Sequence, residues 1–551
     1  MKTFGIYLSY PPDVDLRAEG LGRYLAEFLN EAKDRTDARF VIACPSWMRK
    51  SLRELLERAG IPIKAFEIIG PTKRPVLLRL YDAYRSYRQR KRPKRFRKVV
   101  AYLANLKILT ITRVERAFAA TRSPFTLGLL ILLTFPAFAI DYVASLLRNS
   151  FVSLLTFTGL PRIWRLTREQ LSNVASILMM SPQRSVRTVR LYRFMEEAEA
   201  KLLCDHINAR KEISAWYAPT VFWPHFNDIK APRLTCVPDV VLSEFPVAFS
   251  SINYERFLDA FRLIERTIEG GDRFVTYSND IKYRTLVERY RIAPEAITVI
   301  PHGVNRLDDL ISVSGFRDNE AATDLLCTNL FRVALYKAIN TVNASHFDSG
   351  DVRFIFYASQ FRPNKNVISL LRAYEYLLKR RYIGHKLVLT GNPNNLPEIA
   401  AFIGDHNLQN DVVCLHGLSA QELAACYRIA DLAVNPSLSE GGCPFTLTEA
   451  LSVGTPVVMA RIAVTEEVVT DPDLQEMMLF DPYKWEDIAL RIEWGLKNRE
   501  ALLARQLELY KKLSERSWGT VIDEYIEILD RISSVPMRTE EGARTGRSPV
   551  F

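Results

Sequence analysis

Short apolar runs alternate with amphipathic helical stretches along most of this 551-residue chain. The N-terminal part begins with "FGIYLSY", the helical stretch "RYLAEFLNEA" and the apolar run "RFVIACPS", and a similar alternation restarts at "DVRFIFYA". Strands that alternate with helices predict a parallel sheet with helices on both faces. A chain of this length exceeds the limit of a single core, so we predict an α/β protein with two Rossmann-like, doubly wound domains.

One segment of the N-terminal half interrupts this alternation. Residues 85–98, "RSYRQRKRPKRFRK", contain nine Lys or Arg and no acid, which nearly accounts for the net charge of +11. Two apolar runs follow, Ser123–Leu147 and Phe151–Leu160. Positive charge beside apolar sequence is typical of a cytoplasmic membrane surface, where anionic lipid attracts each basic residue by about 1 kcal/mol.

Phe125–Leu147 is long enough to span a bilayer, but Pro136 and Asp141 interrupt it. The sheet pattern resumes after the insertion, so both flanks must lie on one side of a membrane, which excludes a single crossing. We therefore predict a re-entrant or interfacial hairpin on an anionic membrane surface. Two alternatives stay open: a buried helical insertion with a solvated basic face, and nucleic-acid binding by the basic stretch, although no recognised nucleic-acid motif follows it.

The cysteines and the first residues bear on the compartment. The seven cysteines are odd in number, scattered and never spaced as C-x2-C. We therefore predict neither a disulfide framework nor a zinc site, and a reducing compartment. The stretch "MKTFGIYLSYPP" lacks the cleavage site of a signal peptide and predicts a first strand. We expect a cytoplasmic protein, peripheral or monotopic on the inner face of the plasma membrane.

The stretch "SEGGCPFTLTEALSVGTPVV", Ser439–Val458, predicts an anion site at a helix N-terminus. Pro444 suits the first helical position and Gly454 suits the helix end, which predicts a helix from Pro444 to Val453. The N–H groups before this helix point toward any ligand placed at its N-terminus. Gly20 and Gly22 precede another helix and predict a similar, weaker site, for which a tight turn is the alternative.

Two carboxylates and two cations accompany this anion site. Phosphate would repel Glu440, which is better placed to accept hydrogen bonds from sugar hydroxyls, and Glu449, inside the helix, could accept two ribose hydroxyls. Arg362 and Lys365 follow the strand "RFIFYA" at its carboxyl end, where open α/β sheets bind ligands. They could neutralise a departing nucleoside diphosphate, although either cation alone is also typical of a solvated loop. We predict one pocket that holds a sugar, a diphosphate and a ribose in a row.

On these stretches the chain resembles a retaining glycosyltransferase of the two-domain GT-B architecture, family GT4. The resemblance covers Phe354–Ile532 well and the N-terminal part in patches. It rests on "FIFYASQFRPNKNVISLLRAYEYL", on "VVCLHGLSAQELAACYRIADLAVNPSLSEGGCPFTLTEALSVGTPVV" with its paired glutamates, and on "VTYSNDIKYRTLVERYRIAPEAITVIPHGV". The stretch "RSWGTVIDEYIEILDRI" is similar to the family's terminal helix, which crosses back to the first domain.

The resemblance implies the identity of the site residues. The implied catalytic residues are Glu440, next to the transferred sugar, and Asp239, on the acceptor side. The implied donor-binding residues are Gly22, Arg362, Lys365, His416, Gly441, Gly442, Cys443, Phe445 and Glu449. Among these, Glu449 would contact the ribose and Lys365 the diphosphate, and the surroundings of His416 would line the base.

Three positions depart from the family's pattern. Eight residues, not the usual seven, separate Glu440 from Glu449. Gln360 stands where an arginine is usual, which leaves Arg362 as a substitute. Pro238 replaces a histidine, which leaves Asp239 as the nearest acceptor-side group.

The resemblance implies an enzyme that moves a hexosyl unit from a nucleoside-diphosphate sugar to an acceptor with retention. It implies no metal and no cofactor apart from that co-substrate, and we expect no nucleic-acid partner. The insertion adds the expectation of a lipid-linked or glycan acceptor, as in bacterial surface polysaccharide biosynthesis. The alternative is a catalytically silent, nucleotide-sugar-binding subunit of a membrane-associated assembly.

The expected domains follow the same reading. Residues 1–305 would form the N-terminal acceptor domain, with the basic and apolar insertion at about 80–175. Residues 306–350 would be a linker with a helical insertion, and residues 351–515 the nucleotide-sugar donor domain facing the first across a cleft. Residues 516–535 would form the terminal helix, and the polar residues 536–551 a disordered tail.

Overall fold

A computed structural model describes residues 2–75 apart from 13, 15 and 17–19, residue 78, residues 186–338 apart from 253, and residues 352–534. The described residues up to Pro71 and from Ala200 onward belong to one compact unit, which contains both sheets. The described residues between Thr72 and Glu199 belong to a second unit. The predicted insertion at 80–175, with its Phe125–Leu160 apolar runs, and the predicted tail at 536–551 lie outside the described residues.

The first sheet has seven parallel strands in the order β3-β2-β1-β4-β5-β6-β7. The strands are β1 (Lys2–Tyr7), β2 (Ala38–Ala43), β3 (Glu67–Ile69), β4 (Ala215–Ala218), β5 (Arg233–Cys236), β6 (Phe274–Thr276) and β7 (Ile297–Val299). The first residues of the chain thus form a strand, as the sequence predicts.

The second sheet has six parallel strands in the order β10-β9-β8-β11-β12-β13. The strands are β8 (Phe354–Tyr357), β9 (Lys386–Leu389), β10 (Val412–Cys414), β11 (Leu432–Asn435), β12 (Val457–Ala460) and β13 (Leu479–Phe480). Every residue of β8, β11 and β12 is buried, because helices cover both faces of a parallel sheet and its strands become continuous apolar runs. The prediction of an α/β protein with two parallel sheets is confirmed.

Helices connect the strands of both sheets. In the N-terminal half they are Gly20–Ala32, Met48–Arg58, Val186–Asn208, Val241–Glu244, Pro246–Ile252, Tyr254–Glu269 and the π-helix Ile281–Arg289. A helix at Asn319–Leu335 precedes the second sheet. The helices that follow are Val367–Arg380, Pro397–Asp405, Ala420–Ile429, Phe445–Ser452, Ala463–Val468, Pro472–Met478, Trp485–Lys497, Arg499–Ser514 and Trp518–Ser533. No helix among these described residues is both long enough and apolar enough to cross a membrane.

The helix predicted from Pro444 to Val453 is one residue shorter at each end. It runs from Phe445 to Ser452, with Pro444 as its N-cap in an extended conformation and Val453 as its C-cap. Pro444 therefore lies just before the helix and not in its first turn. Boundaries of this kind depend on the backbone angles of one residue, which composition does not determine.

The order of strands locates a binding edge in the second sheet. The direction in which strands are added reverses between β8 and β11, which are neighbours although two strands separate them in sequence. In open α/β sheets the loops that follow two such strands diverge and leave a crevice at the carboxyl edge. The loop with Arg362 and Lys365 follows β8, and the loop with Glu440 follows β11.

The terminal helix, Trp518–Ser533, packs against the first sheet. The Tyr525 ring contacts those of Tyr217 in β4 and Phe28, at centroid distances of 4.9 and 5.4 Å. The Tyr217 hydroxyl donates to the Tyr525 hydroxyl at 3.2 Å and lies 3.1 Å from the Tyr24 hydroxyl. At the far end of the helix, Lys2 forms an ion pair with Asp530. The helix thus completes the core of a sheet whose first strand lies more than 500 residues away in sequence.

We predict that Tyr525→Ala lowers the free energy of unfolding by about 3–5 kcal/mol, because it removes a fully buried aromatic ring. Tyr525→Phe should cost only about 1 kcal/mol, the net value of one buried hydrogen bond. Tyr483→Ala is the matched control: Tyr483 is 73% exposed, and its loss should change stability by less than about 0.5 kcal/mol. Urea unfolding followed by tryptophan fluorescence measures all three, and equal effects of the two alanine variants would contradict the packing of the terminal helix.

Candidate donor-binding site

Hydrogen bonds join the loops that follow β8 and β11. The Leu438 amide donates to the Asn364 carbonyl oxygen at 2.8 Å, and the Asn364 side-chain amide donates to the Ser439 carbonyl oxygen at 3.5 Å. The Tyr357 hydroxyl, at the end of β8, lies 3.1 Å from the Ser437 hydroxyl. All of these residues except the half-buried Leu438 are buried, so the two loops form one wall at the carboxyl edge of the sheet.

The two loops bring a cation and a carboxylate of the predicted site together. Lys365 Nζ donates to Glu440 Oε1 at 2.7 Å, and both side chains are mostly buried. Burial is the largest influence and acts to lower the pKa of Lys365, but the charge and hydrogen bond of Glu440, together with nearby Tyr357 and Asp239, raise the pKa overall, so the ammonium stays charged. The groups expected to contact the diphosphate and the sugar are therefore direct neighbours.

Asp239 lies beside this ion pair, although it belongs to the first sheet. It follows β5, and its Cβ lies 3.4 Å from where a Cβ on Gly441 would stand. Burial raises the pKa of Asp239; the charge of Lys365 partly offsets this effect, and the negative charge of Glu440 adds to it. Three predicted site residues, Asp239, Lys365 and Glu440, thus form one charged cluster with contributions from both sheets.

Gly441 and Gly442 lie where loops of the two sheets come into close contact. A Cβ on Gly441 would stand 1.8 Å from the Pro238 carbonyl oxygen, and a Cβ on Gly442 would stand 2.7 Å from the Tyr277 Cβ. The Ser278 hydroxyl also donates to the Gly441 carbonyl oxygen at 3.0 Å. Any side chain on Gly441 would collide with backbone, so the glycine pair permits the loops after β5, β6 and β11 to touch.

Glu449 is almost fully buried and pairs with a cation from the first sheet. Its side chain is 3% exposed, and its Oε1 accepts a 2.6 Å hydrogen bond from Nη1 of Arg23. Arg23 belongs to the Gly20–Ala32 helix, and its guanidinium carbon lies 5.8 Å from the centroid of the Phe445 ring. A buried carboxylate requires a charged partner, which Arg23 provides.

His302 is a site residue that the sequence did not indicate. It follows β7, and its ring centroid lies 4.1 Å from that of Tyr277 and 5.0 Å from that of Phe445. Its Nε2 lies 3.0 Å from where a Cβ on Gly442 would stand, and its buried Nδ1 has no hydrogen-bond partner among the described residues. Burial, aided by the positive charge of Arg516, lowers the pKa of His302 to about 4. The imidazole behind the glycine pair is therefore neutral near pH 7.

The remaining predicted residues differ in how closely they approach this cluster. Arg362 is exposed, but its charge reaches Asp239, and its guanidinium donates to the Gln360 side chain at 3.3 Å. Cys443 is partly buried; burial and the charge of Glu440 raise its pKa to about 12, so the thiol is not ionised. His416 is exposed at the end of β10, two strands from β8, or roughly 10 Å across the sheet.

Gly22 has a packing role in the Gly20–Ala32 helix. A Cβ on it would stand 1.7 Å from the Leu16 carbonyl oxygen, so only glycine permits this approach of the chain. Its neighbour Arg23 reaches the second sheet, while Gly22 itself lies against its own loop. The sequence predicted a site at the two glycines before this helix; in the structure, the side chain that reaches Glu449 is that of the following residue, Arg23.

We predict that His302 makes stability depend on pH between 6.5 and 4. The unfolded histidine titrates near 6.5 and the folded one near 4, so the unfolded state binds more protons in this window and stability falls as the pH falls. The His302 contribution should reach about 1.4 kcal/mol per pH unit at most. His302→Asn cannot titrate, so its curve of unfolding free energy against pH should be flatter than that of the wild type. Parallel curves would show that His302 is not buried in its neutral form.

Comparison with known proteins bears on the second sheet most directly. Residues 340–517 match the family model of the glycosyl transferases group 1, which is less than half of the chain. The matched segment contains β8 to β13 and, with them, Lys365, Glu440 and Glu449. The residues that follow the strands of the first sheet, Asp239, His302 and Arg23, lie outside it.

Two curated relatives match parts of the chain. An MMP α-(1→4)-mannosyltransferase from Mycolicibacterium hassiacum is 37% identical over 132 residues, 24% of this chain and 31% of that protein. The O-antigen chain mannosyltransferase B from Escherichia coli is 28% identical over 166 residues, 29% of this chain and 42% of that protein. The chain thus spans less than half the length of either relative.

The fold is similar to that of a solved structure over nearly the whole chain. The N-terminal domain of a trehalose-6-phosphate phosphatase from Candida albicans superimposes with a TM-score of 0.53 at 10% identity, over 97% of each chain. At this identity the likeness concerns the fold alone. The comparisons therefore relate the chain to glycosyl transferases group 1 through residues 340–517.

Proposed function

We propose that this protein is a glycosyltransferase that moves a hexosyl unit from a nucleoside-diphosphate sugar to an acceptor. The observation that supports it best is the arrangement around the Gly441–Phe445 loop: Lys365 and Glu440 are paired at 2.7 Å at one end, and the buried Glu449 lies at the other. This arrangement belongs to the segment that matches the glycosyl transferases group 1. We assign it to the GT-B architecture and the retaining family GT4 on the resemblance of its motifs.

The donor would lie along this loop with its three parts in order. Glu440 accepts hydrogen bonds from the hydroxyls of the transferred sugar, and Lys365, within hydrogen-bond distance of Glu440, binds the adjacent phosphate. Glu449, about a turn and a half into the helix, accepts the ribose hydroxyls. The N–H groups at the start of the Phe445–Ser452 helix add a favourable dipole for the diphosphate between them.

The chemistry of transfer follows from where charge develops. The bond between the sugar anomeric carbon and the phosphate oxygen breaks, and the departing diphosphate gains negative charge beside Lys365, with Arg362 nearby. Fixed cations stabilise this charge without reorganisation, so no metal is needed in this proposal. The acceptor oxygen bonds to the same face of the anomeric carbon, and its proton passes to the leaving phosphate oxygen, which gives retention. Asp239, beside the ion pair, is placed to orient the acceptor.

The acceptor that we propose is a lipid-linked or other glycan of a bacterial surface polysaccharide, because one relative is an O-antigen chain mannosyltransferase. The basic residues 85–98 and the apolar runs up to Leu160 support a position on the inner, anionic face of the plasma membrane. The domain division retained for this proposal is an acceptor domain at 1–305, a linker at 306–350, a donor domain at 351–515 and a returning helix at 516–535.

We predict that one nucleotide sugar of a panel stabilises the wild type and stabilises Glu449→Gln much less. A ligand at 100 times its dissociation constant adds about 2.7 kcal/mol of stability, which a thermal-shift assay detects. Glu493→Gln is the matched control, because Glu493 is also a buried carboxylate paired with an arginine, Arg381, but lies in the Trp485–Lys497 helix. It should lower the melting temperature and preserve the ligand-induced shift.

Transfer of radiolabelled sugar from the selected donor to membrane extracts then tests the enzyme activity. Transfer by the wild type, with a loss of at least about tenfold in Glu440→Gln, is expected if Glu440 contacts the transferred sugar. Donor binding without transfer to any acceptor or to water would overturn the proposed activity in favour of a silent nucleotide-sugar-binding subunit. Absence of any ligand-induced shift would contradict the donor site itself.

We predict that deleting residues 123–160 abolishes flotation with vesicles that contain anionic lipid. Replacing the basic residues of 85–98 by glutamine should weaken binding to anionic vesicles, and binding to zwitterionic vesicles should change little, because only the electrostatic attraction is lost. Deletion of residues 536–551 serves as the control and should leave flotation intact. Unchanged flotation of the 123–160 deletion would contradict a membrane-associating insertion.

A further inference from the structure

Arg23 is a charged group of the site to which the donor arrangement described above gives no role. It lies in the first turn of the Gly20–Ala32 helix, on the first sheet, whereas the groups expected to hold the donor lie on the second. Its guanidinium forms a 2.6 Å hydrogen bond to Glu449 Oε1. Arg23, from a helix of the first sheet, thus contacts Glu449, the residue of the second sheet's half that we expect to hold the ribose.

The position of the guanidinium relative to the donor follows from its two contacts. It bonds to Glu449, where the ribose is expected, and its carbon lies 5.8 Å from the centroid of the Phe445 ring. Phe445 is the first residue of the helix whose N-terminus should receive the diphosphate. Arg23 therefore lies between the ribose end of the pocket and its phosphate region, where a phosphate attached to that ribose would pass.

The guanidinium also has the capacity for a second ligand. Glu449 uses one of its nitrogens, Nη1, whereas a guanidinium has five N–H donors in a planar fork. The Arg23 side chain is 47% exposed, in contrast to the 3% of Glu449. The carboxylate is thus enclosed, and much of the arginine faces solvent. Bidentate binding of phosphate oxygens is the interaction that an arginine fork makes most readily.

Lys365 occupies the corresponding position at the other end of the pocket. It pairs with Glu440, where the transferred sugar is expected, so it lies beside the phosphate attached to that sugar. Two phosphates are then matched by two cations, one at each end, and each cation is paired with a carboxylate. One of these ion pairs lies within the second sheet, and the other joins the two sheets.

We propose that Arg23 binds the ribose-proximal phosphate of the nucleotide donor while its hydrogen bond holds Glu449 in position for the ribose hydroxyls. This inference rests on the proposed donor site and extends it to the first sheet. Tight binding of the donor then requires that the two sheets approach each other as closely as they do in this structure, because the cation for one phosphate comes from the opposite side.

Isothermal titration of the nucleoside diphosphate selected by the panel, of its monophosphate and of its nucleoside tests this proposal. Arg23→Ala should weaken binding of the monophosphate and diphosphate at least about tenfold, the value of one charge-assisted hydrogen bond, and binding of the nucleoside about threefold at most. Arg39→Ala is the matched control. Arg39 is similarly exposed and is paired with Glu67, but it lies at the amino end of β2, whereas Arg23 lies near the carboxyl edge of the first sheet. Its affinities should equal those of the wild type.

A double-mutant cycle with Glu449→Gln separates contact with phosphate from an effect through Glu449. If Arg23 contacts phosphate, Arg23→Ala should still weaken diphosphate binding about tenfold in the Glu449→Gln background. A loss that disappears in that background, or that is equal for nucleoside and diphosphate, would overturn the proposal. So would unchanged or tighter diphosphate binding, which would make Arg23 a group that the donor displaces.

Two other causes could abolish nucleotide binding: an unfolded variant, or the lack of a donor site in the wild type. Arg23→Gln keeps a polar side chain with amide N–H donors and removes the charge, and it replaces the alanine variant if circular dichroism shows the latter to be unfolded. If the wild type binds no nucleotide of the panel, the proposed function fails and this inference with it. If the wild type binds and the charge-removing variants bind equally well, only the role of Arg23 fails.

Discussion

The contact of two glycines with the opposite sheet is the constraint on which the rest of the site depends. Gly441 lies so close to the Pro238 carbonyl oxygen, and Gly442 so close to Tyr277, that a Cβ on either would collide, and Gly442 also lies against His302. These residues lie in the loops that follow β5, β6, β7 and β11. Their contact therefore brings the carboxyl edges of both sheets together. Asp239 can then lie beside Lys365 and Glu440, and Arg23 can reach Glu449, only at this separation.

Charge balance explains why this edge is stable without a ligand. Burying a carboxylate without a partner costs several kcal/mol, and here Glu440 and Glu449 each have a cation within 2.7 Å. A donor diphosphate would enter a pocket whose charges already neutralise one another. In the proposed complex, the sugar and ribose hydroxyls would bond to the carboxylate oxygens, and the phosphates to the N–H groups of Arg23 and Lys365 that the carboxylates do not use. Donor binding would therefore add partners to both ion pairs and leave no buried charge unpaired.

The sequence was sufficient to predict most of the second sheet and the charged residues that this sheet contributes to the candidate site, Arg362, Lys365, Glu440 and Glu449. Strand and helix alternation, together with a helix N-terminus after "SEGGC", indicated β8 to β12 and the loops with Lys365 and Glu440, because ligand loops of parallel sheets follow the carboxyl ends of strands. The short strand β13 was not predicted. Arg23 and His302 were not predicted as site residues. Both residues reach the candidate site only because the two sheets, which are distant in sequence, approach each other. The spacing of apolar residues along the chain does not indicate which loops of different sheets meet.

The terminal helix has a consequence for the order in which the chain can fold on the ribosome. Tyr525 fills a space between Phe28 and Tyr217, so the first sheet lacks part of its core until the last helix has been synthesised. The second sheet has its own core, built from residues 307 to 502, and can close earlier. Synthesis from the N-terminus usually lets the first domain fold first. Here the half of the molecule that emerges first lacks this part of its core until residues 518–533 have been synthesised, and its apolar strands are exposed to chaperones in the meantime.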